Sequence, residues 1–315
     1  MVIGGTGHIG TYLVPRLVGR GHEVVVLSRG QRRPYHDRGG WGRVTPVEVD
    51  RQAEDAAGSF GRRVAALRPD AVVDLICFTP ESAVQLADAL EGTGALLLHC
   101  GTIWAHGPSA SVPTTEDSPR RPFTAYGIAK AAIEDELLRR SRRGDLRATV
   151  IHPGHISGPG WVPVNPAGNV SVEVFQRLAD ADPVALPDLG LATLQHVHAD
   201  DVAGVFLAAL GSPSVADGES FHAVGTGAVT MRGYAEAAAG WFGQEARLTF
   251  RPYAEWEENV APEDARVTLD HLRHSPHCSM DKAARLLGSR PRYTPLEAAE
   301  DAVRALVTAG RVRTR

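Results

Sequence analysis

Lysine is nearly missing from this chain. Of 33 basic side chains only two are lysine, Lys130 and Lys282, so arginine stands almost everywhere a positive charge is needed. Cysteine is scarce as well. Cys77, Cys100 and Cys278 are scattered and do not make a disulfide framework, which fits a reducing compartment. No apolar run reaches the roughly 20 residues that span a bilayer, and the opening residues read as strand and loop rather than as a leader peptide. The net charge of −4 gives no electrostatic pull toward nucleic acid or an anionic membrane. Repeats and low-complexity tracts are absent. What remains is an expected cytoplasmic α/β protein of 315 residues, 43% hydrophobic, able to bury a large core as one domain or two intimate ones.

Against that arginine background the position of Lys130 is informative. It follows Tyr126 by four residues in Tyr126-Gly127-Ile128-Ala129-Lys130, one turn away on the same helix face. A compact ammonium beside a phenol is a requirement a planar guanidinium does not meet, so the pair is a candidate acid–base couple. The chain opens with Val2-Ile3-Gly4-Gly5-Thr6-Gly7-His8-Ile9-Gly10, a short apolar run followed by glycines at Gly4, Gly7 and Gly10 and then an amphipathic helix. Glycines permit a tight strand-to-helix turn and close approach of backbone to a pyrophosphate, and the helix N-terminus offers free N–H groups to it. A second strand, His22 to Leu27, supplies the context that such a glycine triplet needs.

Apolar runs then alternate with amphipathic helices. Strands are expected at Val44–Val49, Ala71–Ile76, Ala95–His99 and Arg147–Ile151, and helices near Asp55–Leu67, Glu81–Leu90 and Ala125–Arg142. This pattern predicts a doubly wound parallel sheet, the Rossmann fold, with ligands at the carboxyl ends of the strands. Proline and glycine crowd after His152, marking a loop-rich substrate region. A return is expected at His196–Leu210, a helix entered through Asp200-Asp201, and at a short strand, Phe221–Val224. The expected division is 1–155 as dinucleotide-binding domain, with 191–225 returning to it, and 156–190 plus 226–315 as a smaller, mixed substrate-binding region.

With these pieces the chain resembles the extended short-chain dehydrogenase/reductases, the NAD-dependent epimerase/dehydratase family. The resemblance rests on the glycine loop, on Tyr126-Gly127-Ile128-Ala129-Lys130, on His152-Pro153-Gly154-His155-Ile156-Ser157-Gly158-Pro159-Gly160, on His198-Ala199-Asp200-Asp201 and on Asp281-Lys282-Ala283-Ala284-Arg285-Leu286-Leu287-Gly288. It implies a catalytic hydroxyl just past the fifth strand, which falls on Thr102, though a strand-ending threonine with a local backbone bond would look the same. It also implies that Tyr126 exchanges a proton with a substrate oxygen, that Thr102 orients that oxygen, and that Lys130 tunes Tyr126 and holds the nicotinamide ribose. Cofactor contacts are expected at Gly4, Thr6, Gly7, His8, Ile9, Gly10, Lys130, Pro153 and His155, with Asp50-Arg51 on the adenine side.

The second strand ends in Ser28-Arg29, with Arg32 and Arg33 following and no acidic residue. An arginine there suits the extra phosphate of NADP, where an acid would hold the ribose of NAD; NADP(H) is therefore favoured, with NAD(H) possible. Departures from the family pattern weigh against a nucleotide-sugar substrate. Leu194 stands where an arginine would grip a diphosphate, His155 where many members have asparagine, His106 for a tyrosine and His152 for an arginine. Phe78, His106 and His155 are the expected substrate contacts. The segment His271-Leu272-Arg273-His274-Ser275-Pro276-His277-Cys278 has metal-type side chains, but a histidine-rich loop is the better reading, and no metal is expected. Two classes follow: an NAD(P)-dependent enzyme, either reductase/dehydrogenase or epimerase/dehydratase, or a non-catalytic nucleotide- or RNA-binding protein on the same fold. A small-molecule substrate and a homodimer through Glu81–Leu90 and Ala125–Arg142 are expected, with no nucleic acid or membrane partner.

Overall fold

The computed structural model describes residues 1–35 and 39–314. The first half runs β1 (Val2–Ile3), α1 (His8–Gly19), β2 (Val25–Ser28), β3 (Thr45–Glu48), α2 (Arg51–Ala56), α3 (Phe60–Ala66), β4 (Ala71–Asp74), α4 (Pro80–Leu90), β5 (Leu96–Cys100), α5 (Ala125–Arg143) and β6 (Arg147–Pro153). The second half runs β7 (His155–Ser157), α6 (Glu173–Ala179), β8 (Val184–Pro187), β9 (Thr193–Leu194), β10 (His196–His198), α7 (Ala199–Gly211), α8 (Pro213–Ala216) and β11 (Ser220–Ala223). It closes with β12 (Val229–Thr230), α9 (Met231–Gly240), β13 (Leu248–Arg251), α10 (Tyr253–Glu257), α11 (Pro262–His274), α12 (Asp281–Leu287) and α13 (Pro295–Thr308).

Seven strands form one parallel sheet in the order β11-β6-β5-β4-β1-β2-β3. Its central strands are buried because helices cover both faces, and they are mostly apolar, with Asp74, His99 and His152 near their carboxyl ends. One face packs on α1 and α7, where Tyr12, Leu13, Val14, Val205 and Phe206 are buried. The other packs on α3, α4 and α5 through Phe60, Val64, Leu86, Ile133 and Leu137. Each such aliphatic or aromatic side chain is worth about 1.5–3 kcal/mol of burial. A separate core, with Phe175, Leu194, Tyr234 and Trp256, underlies the short strands and helices of the later segments.

The order of strands and helices in the sequence reading is the one observed, with three differences. The expected helix 55–67 is two helices, broken at Gly58, whose φ of 63° is left-handed. The segment from His196 starts as a strand, and α7 begins only at Ala199, where His198 Nδ1 accepts the Asp200 N–H. The second strand starts at Val25 rather than His22. The C-terminal segments are tied to α7 through Asp200 and Asp201, which bind Arg292, while Tyr293 stacks on His198 at 4.1 Å. No described helix is long and apolar enough to cross a membrane.

Candidate active site

The turn from β1 into α1 is shaped by glycine where nothing else fits. Gly4 has φ 77°, and a Cβ on Gly10 would stand 2.1 Å from the Gly5 carbonyl oxygen. Gly7 caps α1 with no side-chain bond, so the first-turn N–H groups stay available to an anion. Here a cleft of about 550 Å³ opens along the carboxyl edge of the sheet, lined among others by Thr6, Gly7, Arg29, Arg32, Asp50 and Phe78. A dinucleotide fits this donor set: a cradle that a side chain would fill, an uncapped helix end, and two exposed arginines at the end of β2. His8, the first residue of α1, stacks on Trp161 at 5.3 Å, and Ile9 goes to the core.

Beyond Phe78, a second group of residues stands at the ends of β4 and β5. Thr124 caps α5 by accepting the Gly127 N–H at 3.1 Å, which sets the first turn bearing Tyr126 and places Lys130 beneath it. Tyr126 is 41% exposed and Lys130 1%. The Lys130 ammonium donates to the carbonyls of Cys77 (2.7 Å) and Cys100 (2.6 Å), leaving one of its three N–H bonds over. It lies 5.9 Å from the Tyr126 ring centre and 5.0 Å from that of Phe78, which is itself half exposed on the cleft wall. Burial lowers the Lys130 pKa. Burial also raises that of Tyr126, and the nearby Thr102 side chain opposes the rise. Thr102 caps a short 3-10 turn, accepting the Trp104 N–H at 3.3 Å, and its side chain is near enough to the phenol to influence it. The sequence-predicted trio is therefore brought together.

Other sequence-predicted residues lie elsewhere. Arg51 borders the cleft, but its guanidinium turns inward to Asp74 at 2.5 Å and to Asp55 and Ser82. Its charge is committed to a buried ion pair. Asp50 caps α2 through Ala53 N–H at 3.2 Å and stays exposed beside the cleft. Pro153 ends β6, fully inside. His106 corrects the expectation of a substrate contact: it is buried behind Thr102, bonded to His222 and Arg120, because the 3-10 turn points its ring into the sheet. His155 is also buried. Its Nδ1 accepts the Gln195 N–H at 3.1 Å, and its ring lies edge-on to His271 at 4.8 Å.

His271 and His274 bind carbonyls one turn back in α11 through Nδ1, at 2.8 and 2.7 Å. Their rings pack on Trp104, with His274 held between Trp104 (4.2 Å) and Phe123 (4.4 Å). That aromatic wall, edge-on to Tyr126 through Trp104, gave no signal in the sequence, because its histidines come from α11, far along the chain from Trp104 and Phe123. Asp74, Cys77 and His99 lie close enough to share a metal ion, yet Asp74 is neutralised by Arg51 and burial pushes the Cys77 thiol up to about 11. With Lys130 alongside, this cluster is a poor cation site.

A model of the NAD dependent epimerase/dehydratase family matches residues 1–223. The chain is 31% identical over 224 residues to the 2'-dehydrokanamycin reductase of Streptomyces kanamyceticus, covering 70% of this chain and 60% of that protein. It thus spans less than two thirds of that relative's length. It is 26% identical to a chloroplast stem-loop binding protein of Arabidopsis thaliana, covering 96% of this chain and 77% of that one. Among solved structures it matches a UDP-glucose 4-epimerase from Thermotoga maritima, determined with UDP-glucose, with a TM-score of 0.75 at 21% identity and 98% of both chains covered.

Proposed function

The chain belongs to the NAD dependent epimerase/dehydratase family, and from that premise we propose that it interconverts a hydroxyl and a carbonyl carbon of a small metabolite with NADP(H) that binds and leaves. The observation that carries this reading is that Lys130, one helical turn below Tyr126, lies 5.0 Å from the ring of Phe78, which lines a cleft that also holds Arg29 and Arg32. The nicotinamide supplies or takes the hydride. Tyr126 gives a proton to, or takes one from, the substrate oxygen, and Thr102 aligns that oxygen. Lys130 favours the phenolate by its charge and keeps one N–H for a ribose hydroxyl.

The substrate is one without a nucleotidyl diphosphate. Leu194, at the place of a diphosphate-gripping arginine, is fully buried in the second core, and His155 has spent its Nδ1 on Gln195. One relative is named as a reductase of 2'-dehydrokanamycin, a name with no nucleotide in it. Binding of RNA, or of a stem-loop as the chloroplast relative's name has it, is disfavoured by the net charge of −4, which leaves little counterion release to drive it. A dimer through α4 and α5 belongs to the same reading and is checked by light scattering. A single-chain mass in solution removes it.

Cofactor choice is tested by titrating NADP+ and NAD+ into wild-type protein and Arg29→Ala. Removing one charged hydrogen bond to the extra phosphate should weaken NADP+ about 10- to 100-fold and leave NAD+ unchanged. Equal losses for both nucleotides would show that Arg29 does not read the phosphate.

A further inference from the structure

Behind Thr102 lies a set of buried histidines that the proposed chemistry leaves unassigned. His152, on β6, is wholly inside, and its Nδ1 sits 3.0 Å from both the N–H and the carbonyl oxygen of Thr102. Its Nε2 lies 3.0 Å from Glu134 Oε1. The Thr102 N–H points at Nδ1, so in the neutral imidazole Nδ1 accepts it and the proton belongs on Nε2, the side that faces Glu134. Glu134 is itself held by the Arg120 fork, Nε to Oε2 at 2.8 Å and Nη2 to Oε1 at 2.6 Å. Burial acts against ionisation of Glu134, but His152 and Arg120 outweigh it and hold the carboxyl well below the usual range.

The rest of the cluster is satisfied in one direction. Arg120 can only donate, and it reaches His106 Nδ1 at 3.2 Å. His106 Nε2–H then donates to His222 Nε2 at 2.8 Å, and His222 Nδ1–H to the Ser279 carbonyl at 3.0 Å. Sheet register sets His222 beside His152. Gly101 leaves the room that His152 needs, since a Cβ there would stand 2.5 Å from Nδ1.

We propose that His152, oriented by Glu134, is a positioning residue that fixes Thr102 by accepting its N–H and so sets the hydroxyl that meets Tyr126. This rests on the reading of Thr102 and Tyr126 as the acid–base pair. A backbone N–H at a strand end has no ladder partner there, so without an acceptor the first residue of the 3-10 turn is free to rotate. His106 and His222 act at one remove, by keeping Arg120 on Glu134.

The test needs neither substrate nor cofactor. A fluorinated tyrosine whose phenol titrates near neutrality is placed at position 126 of the full chain, and its ionisation is followed by 19F NMR. Thr102→Ala removes the bond that lowers the phenol pKa, so its midpoint should rise. His152→Leu should raise it by the same amount, and the double variant should add nothing further. His152→Asn, which keeps an acceptor near the Nδ1 position, should stay close to wild type. If His152→Leu does not fold, Gly101→Ala, which crowds His152 Nδ1, replaces it with the same expectation.

A rise in Thr102→Ala with no change in His152→Leu overturns the positioning role and leaves the Thr102 reading intact. Additive rises overturn it too, since His152 would then reach Tyr126 by another route. No shift in Thr102→Ala overturns the Thr102–Tyr126 pairing itself.

Discussion

Replacing Tyr126 with phenylalanine is expected to cut turnover by about 10³-fold, within the range for loss of a general acid–base group, while NADPH affinity stays within about twofold. The split follows from the geometry. Lys130 is anchored by the Cys77 and Cys100 carbonyls, not by Tyr126, so the cofactor end of the site survives the change. The check is NADPH oxidation against a panel of small carbonyl compounds, beside a fluorescence titration of the nucleotide. A variant with wild-type turnover would remove Tyr126 from the chemistry. The pH profile carries the same information with a definite sign. Burial raises the phenol pKa, so the protonated form persists through neutral pH and carbonyl reduction should be flat there. Alcohol oxidation needs the phenolate and should climb about tenfold per pH unit until the phenol titrates.

The second large effect is acid lability. His99, His106, His155, His196, His222 and His271 are six buried imidazoles whose pKa values burial lowers, to about 3 for His106 and His196 and about 4 for His271. The unfolded chain binds protons at these side chains below roughly pH 6.5, whereas the folded one does not. Their contribution is therefore complete above that pH and is lost as pH falls toward 4 or 3. With six protons taken up on unfolding, stability should drop by roughly 6–8 kcal/mol per pH unit near pH 5.5. Even half that slope removes a typical margin of about 5–15 kcal/mol within a few pH units. Chemical-denaturant curves between pH 7.5 and 5 should show the midpoint falling steeply. A constant midpoint across that window would mean that the imidazoles are solvated or charged in the folded protein.

The parallel sheet was readable from the sequence because strands buried on both faces are continuous apolar runs, and glycine spacing revealed the turn after β1. The positions of Thr102, Tyr126 and Lys130, though not their roles, were readable for a related reason: a helical spacing of four and a strand end place side chains without help from the rest of the fold. The surroundings of His106 and His155 were not legible because a position near an active-site loop says nothing about which way the ring points. Arg51 looked like a ligand contact next to Asp50, but its partner, Asp74, arrives from the neighbouring β4. Long-range pairings of this sort are invisible in a single sequence. The same is true of Trp104 against His274, and of Glu134 and Arg120 behind His152.

The central claim is that this cleft holds a dissociable NADP(H). It is tested most directly by denaturing freshly purified protein and identifying any released nucleotide by mass spectrometry. The account predicts NADP(H), or an empty site that then takes up NADPH in preference to NADH. Stoichiometric, tightly held NAD would contradict it and point to an epimerase or dehydratase that recycles its cofactor in place.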